Sequence, residues 1–293
     1  MGTKMGSGIW LVTTDHLEDC LWFREEGDFK VGMNYTAVLA ASMPISTLAF
    51  ILMSNHVHFV LQGTEYDVNV FINEFKRRYS KYYQGKYGSA KFLKRNGVDI
   101  KFIPNENEAA ERAIAYVLMN CVAASICLQA TQYPWGSGNV YFNETIPQGI
   151  CVDALSGRHL SRILHSRAPL PGDWLIGNDG YVLPSSYVKV KYVERLFRTP
   201  SRMDYFLRNS SKAKLHLNAG QDAQPSFKDQ TILAVLPELC QKLYGVSRFQ
   251  QLTDPQRTEV LRQLRFRFSS NVHQLARVVG LSYDAAARLL DAQ

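Results

Sequence analysis

The amino-acid sequence predicts an α+β fold: a small antiparallel sheet with helices on one face, followed by a helical C-terminal region. Three observations lead to this prediction. Short β-prone runs in the N-terminal part alternate with segments whose apolar residues recur at helical spacing. Their order is β-α-β-β-α-β-α, which is typical of ferredoxin-like α+β domains. Beyond residue 226 the pattern is helical throughout.

Local chemistry places the individual elements. β-branched and aromatic residues predict strands at residues 9–13, 48–53, 56–61 and 98–103. Helical spacing predicts helices at residues 31–41, 68–87 and 108–128. Ser54-Asn55 suits a tight turn between the second and third strands. Thr253-Asp254-Pro255 combines a capping residue with a proline and predicts the start of a late helix.

The pattern divides the chain into three segments. Residues 1–150 contain the α+β domain, in which any catalytic site is expected. Residues 151–218 form a basic connector with turn-rich stretches. Residues 219–293 form a helical domain that begins with a polar linker. At 293 residues and 46% hydrophobic, the chain can bury a sizeable core in more than one domain.

Composition excludes several classes of protein. No continuous apolar run approaches the ~20 residues of a membrane span, and the N-terminus carries no basic-then-apolar export signal. The five cysteines are scattered, odd in number and without C-x-x-C spacing. They indicate reduced thiols in a cytoplasmic protein rather than a disulfide framework or a zinc site.

The net charge of +7 is concentrated in two segments. Residues 76–101 contain nine Lys or Arg against one Asp, and residues 189–214 contain eight against two acidic residues. Tyrosines interleave with the first segment, and rings among phosphate-binding cations suit single-stranded nucleic acid. A solvated charged helix face is the alternative for either segment alone. The residues of these segments expected to contact DNA are Lys76, Arg77, Arg78, Lys81, Lys189 and Lys191.

The His56-Val57-His58 triplet is the first candidate for chemistry. Alternate side chains of a strand share one face, so the two imidazoles project together, about 7 Å apart along the backbone. Two neutral imidazoles can hold a divalent cation, with water or phosphate oxygens in the remaining positions. Taken alone the signal is weak, because H-x-H triplets are frequent by chance.

A helix that should be buried offers a partner for these histidines. Residues 108–128 are apolar almost all round, and Tyr116 and Asn120 interrupt them at positions i and i+4 on one face. Buried polar groups need hydrogen-bond partners. Periodicity leaves two interpretations open: a functional pair, or a core tyrosine bonded to a backbone carbonyl with Asn120 capping or packing.

Three motifs together resemble a known family. Residues 53–60, Met-Ser-Asn-His-Val-His-Phe-Val, resemble the M-P-N-H-V-H-hydrophobic motif of the single-tyrosine HUH transposases. Within this insertion-sequence-200-like superfamily, the REP-associated tyrosine transposases are the most similar group. Residues 116–124 resemble that group's Y-I-x-x-N-P-V-R-A segment, and residues 133–137 resemble its W-P-W-S-S stretch. The motifs keep the family order and similar spacing over roughly residues 8–145.

The resemblance implies a mechanism and a partner. His56 and His58 would bind Mg²⁺ or Mn²⁺, with Asn120 as a third ligand. Tyr116 would attack phosphorus, leaving a 5′-phosphotyrosine link and a 3′-hydroxyl, and a new 3′ end could reverse the step without ATP. The partner would be single-stranded or hairpin DNA at the bacterial nucleoid, with a monomer or a homodimer as the active unit.

Departures from the family motifs keep other interpretations open. Ser54 and Cys121 stand where the family has proline, and Ala124 falls near its usual arginine, which predicts weaker DNA contacts. Rival nucleophiles on the basic helix, which better suits backbone contact, are Tyr79, Tyr82 and Tyr83. Two other functions are considered: a domesticated, non-catalytic nucleic-acid-binding regulator, and a metal-dependent phosphodiesterase that uses water as the nucleophile.

The C-terminal residues 274–290 follow a helix-turn-helix pattern. A small residue stands at the expected helix crossing, a glycine at the turn, and a serine before the second helix. Arg277, Tyr283 and Arg288 would face outward towards DNA. The pattern predicts a part that recognises a duplex or hairpin end, and an ordinary helical hairpin is the alternative.

Overall fold

The computed structural model describes residues 7–15, 21–88, 93, 96–106, 108–124, 126–210, 227, 229–268, 270 and 272–291. The sheet-bearing part contains β1 (Gly8–Thr14), α1 (Glu26–Ser42), β2 (Ser46–Met53), β3 (His56–Gly63), α2 (Glu65–Tyr87), β4 (Val98–Ile103), α3 (Ala109–Leu118) and α4 (Asn120–Ala123). The elements that follow are β5 (Ile150–Cys151), α5 (Gly157–Leu164), β6 (Leu175–Ile176), α6 (Pro184–Tyr187), α7 (Val190–Phe197) and α8 (Pro200–Arg208). The C-terminal helices are α9 (Asp229–Tyr244), α10 (Asp254–Phe268), α11 (Val272–Val279) and α12 (Tyr283–Asp291). None of the helices in these ranges combines the length and the apolar character needed to cross a bilayer.

The four long strands form one antiparallel sheet in the order β2-β3-β1-β4. β3 therefore lies between β1 and β2, which is the split β-α-β arrangement of ferredoxin-like domains. His58 pairs with Thr13 of β1 on one side and with Ile51 of β2 on the other. The predicted α+β class with a small antiparallel sheet is confirmed, and both histidines stand on an inner strand.

Helices cover both faces of this sheet. Phe59 of β3 packs on Phe71 of α2, with 5.2 Å between ring centroids. The preceding residue, His58, packs on Tyr116 of α3 at 5.7 Å. Successive strand residues point to opposite faces, so α2 and α3 lie on opposite sides of the sheet. The expectation of helices on one face holds for α2 and for α1 packed beside it, but not for α3. Almost every side chain of β2 and β3 is buried, which requires cover on both faces.

The tyrosine-bearing helix is shorter than predicted. In place of one helix over residues 108–128, α3 ends at Leu118 and the single turn α4 ends at Ala123. The N–H of Ile126 bonds to the carbonyl of Cys121 at 3.0 Å, five residues back, a wide turn that closes the helix end. An apolar composition alone does not reveal such an end.

Buried side chains form two cores. The larger core joins the sheet and its helices with side chains from residues 152–206, among them Val193 and Phe197 of α7. The second core joins α9 to α12 and takes in Leu21 from the segment before α1. The segment expected to be a connector therefore packs into the sheet-bearing part through residue 206, whereas the C-terminal helices have a core of their own.

An ionic network joins the C-terminal helices to the start of α1. Asp28 is fully buried, and its carboxylate accepts side-chain hydrogen bonds of 2.6–2.8 Å from Tyr82, Lys86 and Tyr87. Breaking a buried charge pair by removing one partner costs about 3–5 kcal/mol, so this cluster holds α1 and α2 together. Glu25 extends the network by binding both Lys86 and Lys242 of α9.

We expect Glu25→Gln to destabilise the protein only where the carboxylate is ionised. Burial alone would raise the pKa of Glu25, but hydrogen bonds from Lys242 and Lys86 lower it from 4.5 to about 2. Because its pKa is lowered, Glu25 stabilises the fold at pH values above 4.5. This contribution is lost as the pH falls from there towards about 2. Urea unfolding should therefore show a wild-type advantage at about pH 6 that shrinks between about pH 5 and pH 3. A difference that does not change with pH would contradict the role of the charge.

The two last helices have the local geometry that the sequence pattern predicts. Gly280 between α11 and α12 adopts a left-handed φ of 73°. Ser282 Oγ accepts a hydrogen bond from the N–H of Ala285 at 3.2 Å and so caps α12. Ala276 and Ala286 are buried. Recognition of DNA by these helices stays a prediction.

Candidate active site

The candidate site lies on the α3 side of the sheet, at the start of β3. His56 and His58 are buried there, with their ring centroids 4.7 Å apart in an edge-to-face contact. Tyr116 meets His58 edge to face from α3. Its side chain is only half-buried, so the cluster of three rings reaches the surface through the tyrosine.

A neighbouring side chain holds each imidazole. Nδ1 of His56 lies 2.7 Å from Oδ1 of Asn55, and Nδ1 of His58 lies 3.1 Å from Oγ1 of Thr13. An amide oxygen only accepts, so Nδ1 of His56 carries the proton and Nε2 carries the lone pair. A threonine hydroxyl can also accept, so the same tautomer suits His58. Proteins orient histidines that bind metal through Nε2 in this way.

The donor set fits a divalent cation. Two neutral imidazoles supply two nitrogen ligands, and the described part of the chain adds no third His, Cys, Asp or Glu to make a metal-binding group. The remaining positions call for oxygen donors such as an amide, water or phosphate. The arrangement therefore suits a cation whose remaining ligands include phosphate oxygens. It differs from a structural zinc site, in which the protein supplies all four ligands.

Asn120 follows Tyr116 by one turn and is buried. Its Nδ2 donates to the carbonyls of Tyr116 and Val117, at 2.9 and 3.1 Å, where α3 gives way to α4. The amide thus caps the broken helix, which is the capping role that the sequence left open for Asn120. A metal ligand at this position would be Oδ1, and that role stays a prediction.

Two residues of β4 act on the charge of Tyr116. Asp99 pairs with Thr13, and Lys101 lies two residues further along β4, so both share the histidine face. They form an exposed ion pair with 2.9 Å between nitrogen and oxygen. Burial raises the pKa of Tyr116; the positive charge of Lys101 lowers it and the negative charge of Asp99 raises it. The phenol is therefore protonated at neutral pH.

An arginine of α8 fixes the start of the tyrosine helix. Arg202 donates to the carboxylates of Glu108 and Glu111, at 2.9 and 3.1 Å. Glu108 itself has a left-handed φ of 57° immediately before α3. One cation of the second basic segment therefore positions α3 through an ion pair, which composition alone did not indicate.

The predicted DNA contacts of α2 lie on the opposite side of the sheet from this site. Lys76 donates to a backbone carbonyl, and burial lowers its pKa. Arg77 and Arg78 both bind Glu74, at 2.6 and 2.7 Å. Lys81 and the two arginines line a cleft of about 560 Å³. Lys76 therefore has a structural contact, and DNA binding by the other three stays a prediction.

Lys189 and Lys191 are exposed where the chain enters α7. The backbone N–H of Lys189 donates to the carbonyl of Thr47 in β2 at 2.9 Å. This bond places both lysines at the outer edge of β2, in the same sheet as the histidines. Both lysines therefore lie near the start of β2, four residues before Ile51, which pairs with His58.

The residues predicted to face DNA in the C-terminal helices differ in their surroundings. Arg277 is bound by Asp229 at 2.5 Å, which ties α11 to α9. Tyr283 is 47% exposed and stacks on His273, with 4.3 Å between ring centroids. Arg288 is exposed on α12. Tyr283 and Arg288 thus present themselves to solvent, while Arg277 has a partner within the protein.

The rival tyrosines belong to α2 and so lie across the sheet from the histidines. Tyr79 is fully buried and donates to the carbonyl of Trp22. Burial raises the pKa of Tyr82 to about 12, and its hydroxyl donates to Asp28. Tyr83 is also buried. Proximity to the histidines therefore favours Tyr116.

Four side chains of the site carry no distinctive signal in the sequence: Thr13, Asn55, Asp99 and Lys101. Asn55 stands within the 53–60 motif, where its residue type indicates a turn. Asp99 and Lys101 alternate along a predicted strand, so a shared face was predictable. Which face they share follows only from the pairing of β4 with β1.

Comparisons with known proteins include one distant structural likeness. No protein-family model matches the sequence, and no curated protein matches it. A solved structure described as a REP-associated tyrosine transposase bound to a REP hairpin is similar over 56% of this chain and 86% of its own. The sequence identity is 14% and the TM-score 0.35. The chain is thus distantly similar to that structure.

Proposed function

We propose that the protein cleaves and rejoins single-stranded DNA with Tyr116 as the covalent nucleophile. The observation that carries this proposal is the contact of Tyr116 with His58, beside His56. It brings a phenol at the surface to a pair of oriented imidazoles about sixty residues away in the sequence. Nucleophile and metal ligands must meet in this way for a phosphate to touch both.

In the proposed reaction the oxygen of Tyr116 attacks the phosphorus of a phosphodiester. A bond forms between the phenolic oxygen and phosphorus, and the bond from phosphorus to the 3′-oxygen breaks. The phenolic proton passes to solvent, and the departing 3′-oxygen takes up a proton. The products are a 5′-phosphotyrosine and a 3′-hydroxyl, and attack by another 3′-hydroxyl rejoins the strand. The charge of Lys101 favours the ionised phenol.

His56 and His58, with Oδ1 of Asn120, would hold Mg²⁺ or Mn²⁺. When bound, this cation supplies positive charge that stabilises the phosphate oxygens as the bond is exchanged. Asn55 and Thr13 keep the imidazoles oriented, since each is hydrogen-bonded to an Nδ1 atom. The capping bonds of Asn120 fix its side chain one turn from Tyr116.

The proposed partner is single-stranded or hairpin DNA. The cleft of α2 would hold phosphates on the far face of the sheet, so DNA that contacts both this cleft and Tyr116 must pass round a sheet edge. Tyr283 and Arg288 would contact a duplex or hairpin end. Either a monomer or a homodimer satisfies this arrangement, and sedimentation of the complex with DNA distinguishes them.

Incubation with labelled, hairpin-containing single strands and Mn²⁺ tests the proposed function. We expect a protein–DNA adduct that survives denaturation, together with a released strand that ends in a 3′-hydroxyl. Cleavage without any adduct would support the phosphodiesterase that uses water. Binding without cleavage would support the non-catalytic regulator.

A further inference from the structure

A groove of about 870 Å³ lies between two segments that are hydrogen-bonded to the outer edge of β2. One wall is the loop of residues 139–148, and the other is formed by residues 181–195, which include the start of α7. β2 is an edge strand of the four-stranded sheet. The groove therefore lies outside the sheet edge, and β2 separates it from the inner strand that carries both histidines.

Backbone hydrogen bonds to β2 hold both walls in place. Before the loop, the N–H of Ser137 donates to the carbonyl of Phe50 at 3.0 Å. On the other wall, the N–H of Lys189 donates to the carbonyl of Thr47 at 2.9 Å. A Cβ added to Gly136 would lie 2.8 Å from the Phe50 carbonyl oxygen, so this wall is seated directly against the strand. The groove is thus formed before any ligand arrives.

The lining combines cations with aromatic rings and amides. Lys189, Lys191 and Arg195 form a positive rim along α7. The carboxylate of the lining, Glu194, accepts the N–H of Phe142 in the opposite wall at 2.7 Å. The remaining lining includes Asn139, Gln148, Tyr181 and Tyr192. Cations for phosphates beside rings for bases are the chemistry of single-stranded nucleic-acid sites.

The groove begins about two strand spacings from the strand that carries the histidines. His58 pairs with Ile51 of β2, and Ile51 is bridged to Gly136. Adjacent strands are about 4.8 Å apart, so the segment at Gly136 lies about 10 Å from His58. Pro134, two residues before it, already lines the groove. Helix α7 also packs on α3, which carries Tyr116.

We infer that this groove binds a single strand of nucleic acid and leads it to Tyr116. The inference rests on the proposed strand cleavage, and it specifies where the unpaired part of the substrate lies. Phosphates face the positive rim of α7, and bases stack against Tyr192 and Tyr181. A duplex is excluded from such contacts because its bases are stacked on each other and cannot meet the rings.

The test uses the full chain with Tyr116→Phe, so that binding is measured without cleavage, and oligothymidylate as the probe. Each phosphate contact of a single strand contributes about 0.7 to the slope of log K against log salt. Lys191→Gln with Arg195→Gln should therefore lower this slope by about 1.4. Arg158→Gln with Arg208→Gln removes two exposed charges outside the groove and should leave the slope unchanged.

A second variant tests the rings. Tyr192→Leu keeps an apolar side chain and removes the stacking surface, so oligothymidylate should bind about 5- to 150-fold more weakly. Binding of a duplex of the same length should not change. An equal loss for duplex and single strand, or the same slope in the groove and control variants, would overturn the groove assignment.

Adduct formation separates this inference from the proposed function. One outcome is that the chain with Tyr116 intact forms no adduct while the groove variants still bind oligothymidylate more weakly. That result would contradict the proposed strand cleavage and support the groove as a binding site. If the adduct forms at the same rate in the groove variants at limiting DNA, the groove assignment fails and strand cleavage stands.

Discussion

Tyr116→Phe is expected to slow formation of the denaturation-resistant protein–DNA adduct by at least about 10³-fold, since it removes the attacking oxygen. The phenylalanine keeps the ring that meets His58, so the fold and the binding of DNA should be unchanged. The measurement is the rate at which labelled DNA becomes attached to the protein in Mn²⁺, beside a thermal unfolding curve for each variant.

Tyr205→Phe is the matched control for this result. Tyr205 of α8 is 62% exposed and belongs to no part of the proposed site, so its hydroxyl should not affect the rate. Formation of adduct by Tyr116→Phe at the wild-type rate would show that another residue is the nucleophile. Loss of adduct in both variants would point to a general effect of the substitutions.

His58→Ala is expected to remove Mn²⁺ binding and to slow adduct formation by about 10²-fold or more, because one imidazole alone does not make a site. Asn55→Ala should act in the same direction but less strongly, with a loss of about 10- to 100-fold, because it leaves both imidazoles and removes only the group that orients His56. Titration calorimetry with Mn²⁺ measures the binding directly.

His159→Ala is the control for metal binding. His159 lies on α5, which packs on α1. Mn²⁺ binding should be the same in this variant as in the wild type. If His58→Ala retained the full heat of Mn²⁺ binding, the assignment of the metal to this pair would be wrong, whatever happened to the adduct.

Much of the sheet was predictable because its signals are local. β4 spans Val98–Ile103, as the β-prone run predicts, and β2 and β3 meet at the Ser54-Asn55 turn. The late helix begins at Asp254, where a capping pattern precedes proline. In each case the residues that decide the element lie next to one another in the sequence, so no knowledge of the tertiary structure is needed.

The rest depends on pairing across the chain. His58 meets Thr13 only because β3 pairs with β1. Tyr116 meets His58 only because α3 packs on the face of the sheet to which His58 points. The partners of cationic side chains are equally hard to predict from the sequence, because they depend on the tertiary structure. Arg277 and Lys76 read as solvent-facing charges in the sequence, yet the fold gives each a contact within the protein.

Peptide mapping of the adduct by mass spectrometry tests the central claim most directly. After nuclease and protease digestion, the mass of a nucleotide 5′-phosphate should appear on the peptide that contains Tyr116, and fragmentation should place it on that tyrosine. A nucleotide on a peptide of α2, which carries Tyr79, Tyr82 and Tyr83, would contradict the account. So would cleaved DNA with no modified peptide at all.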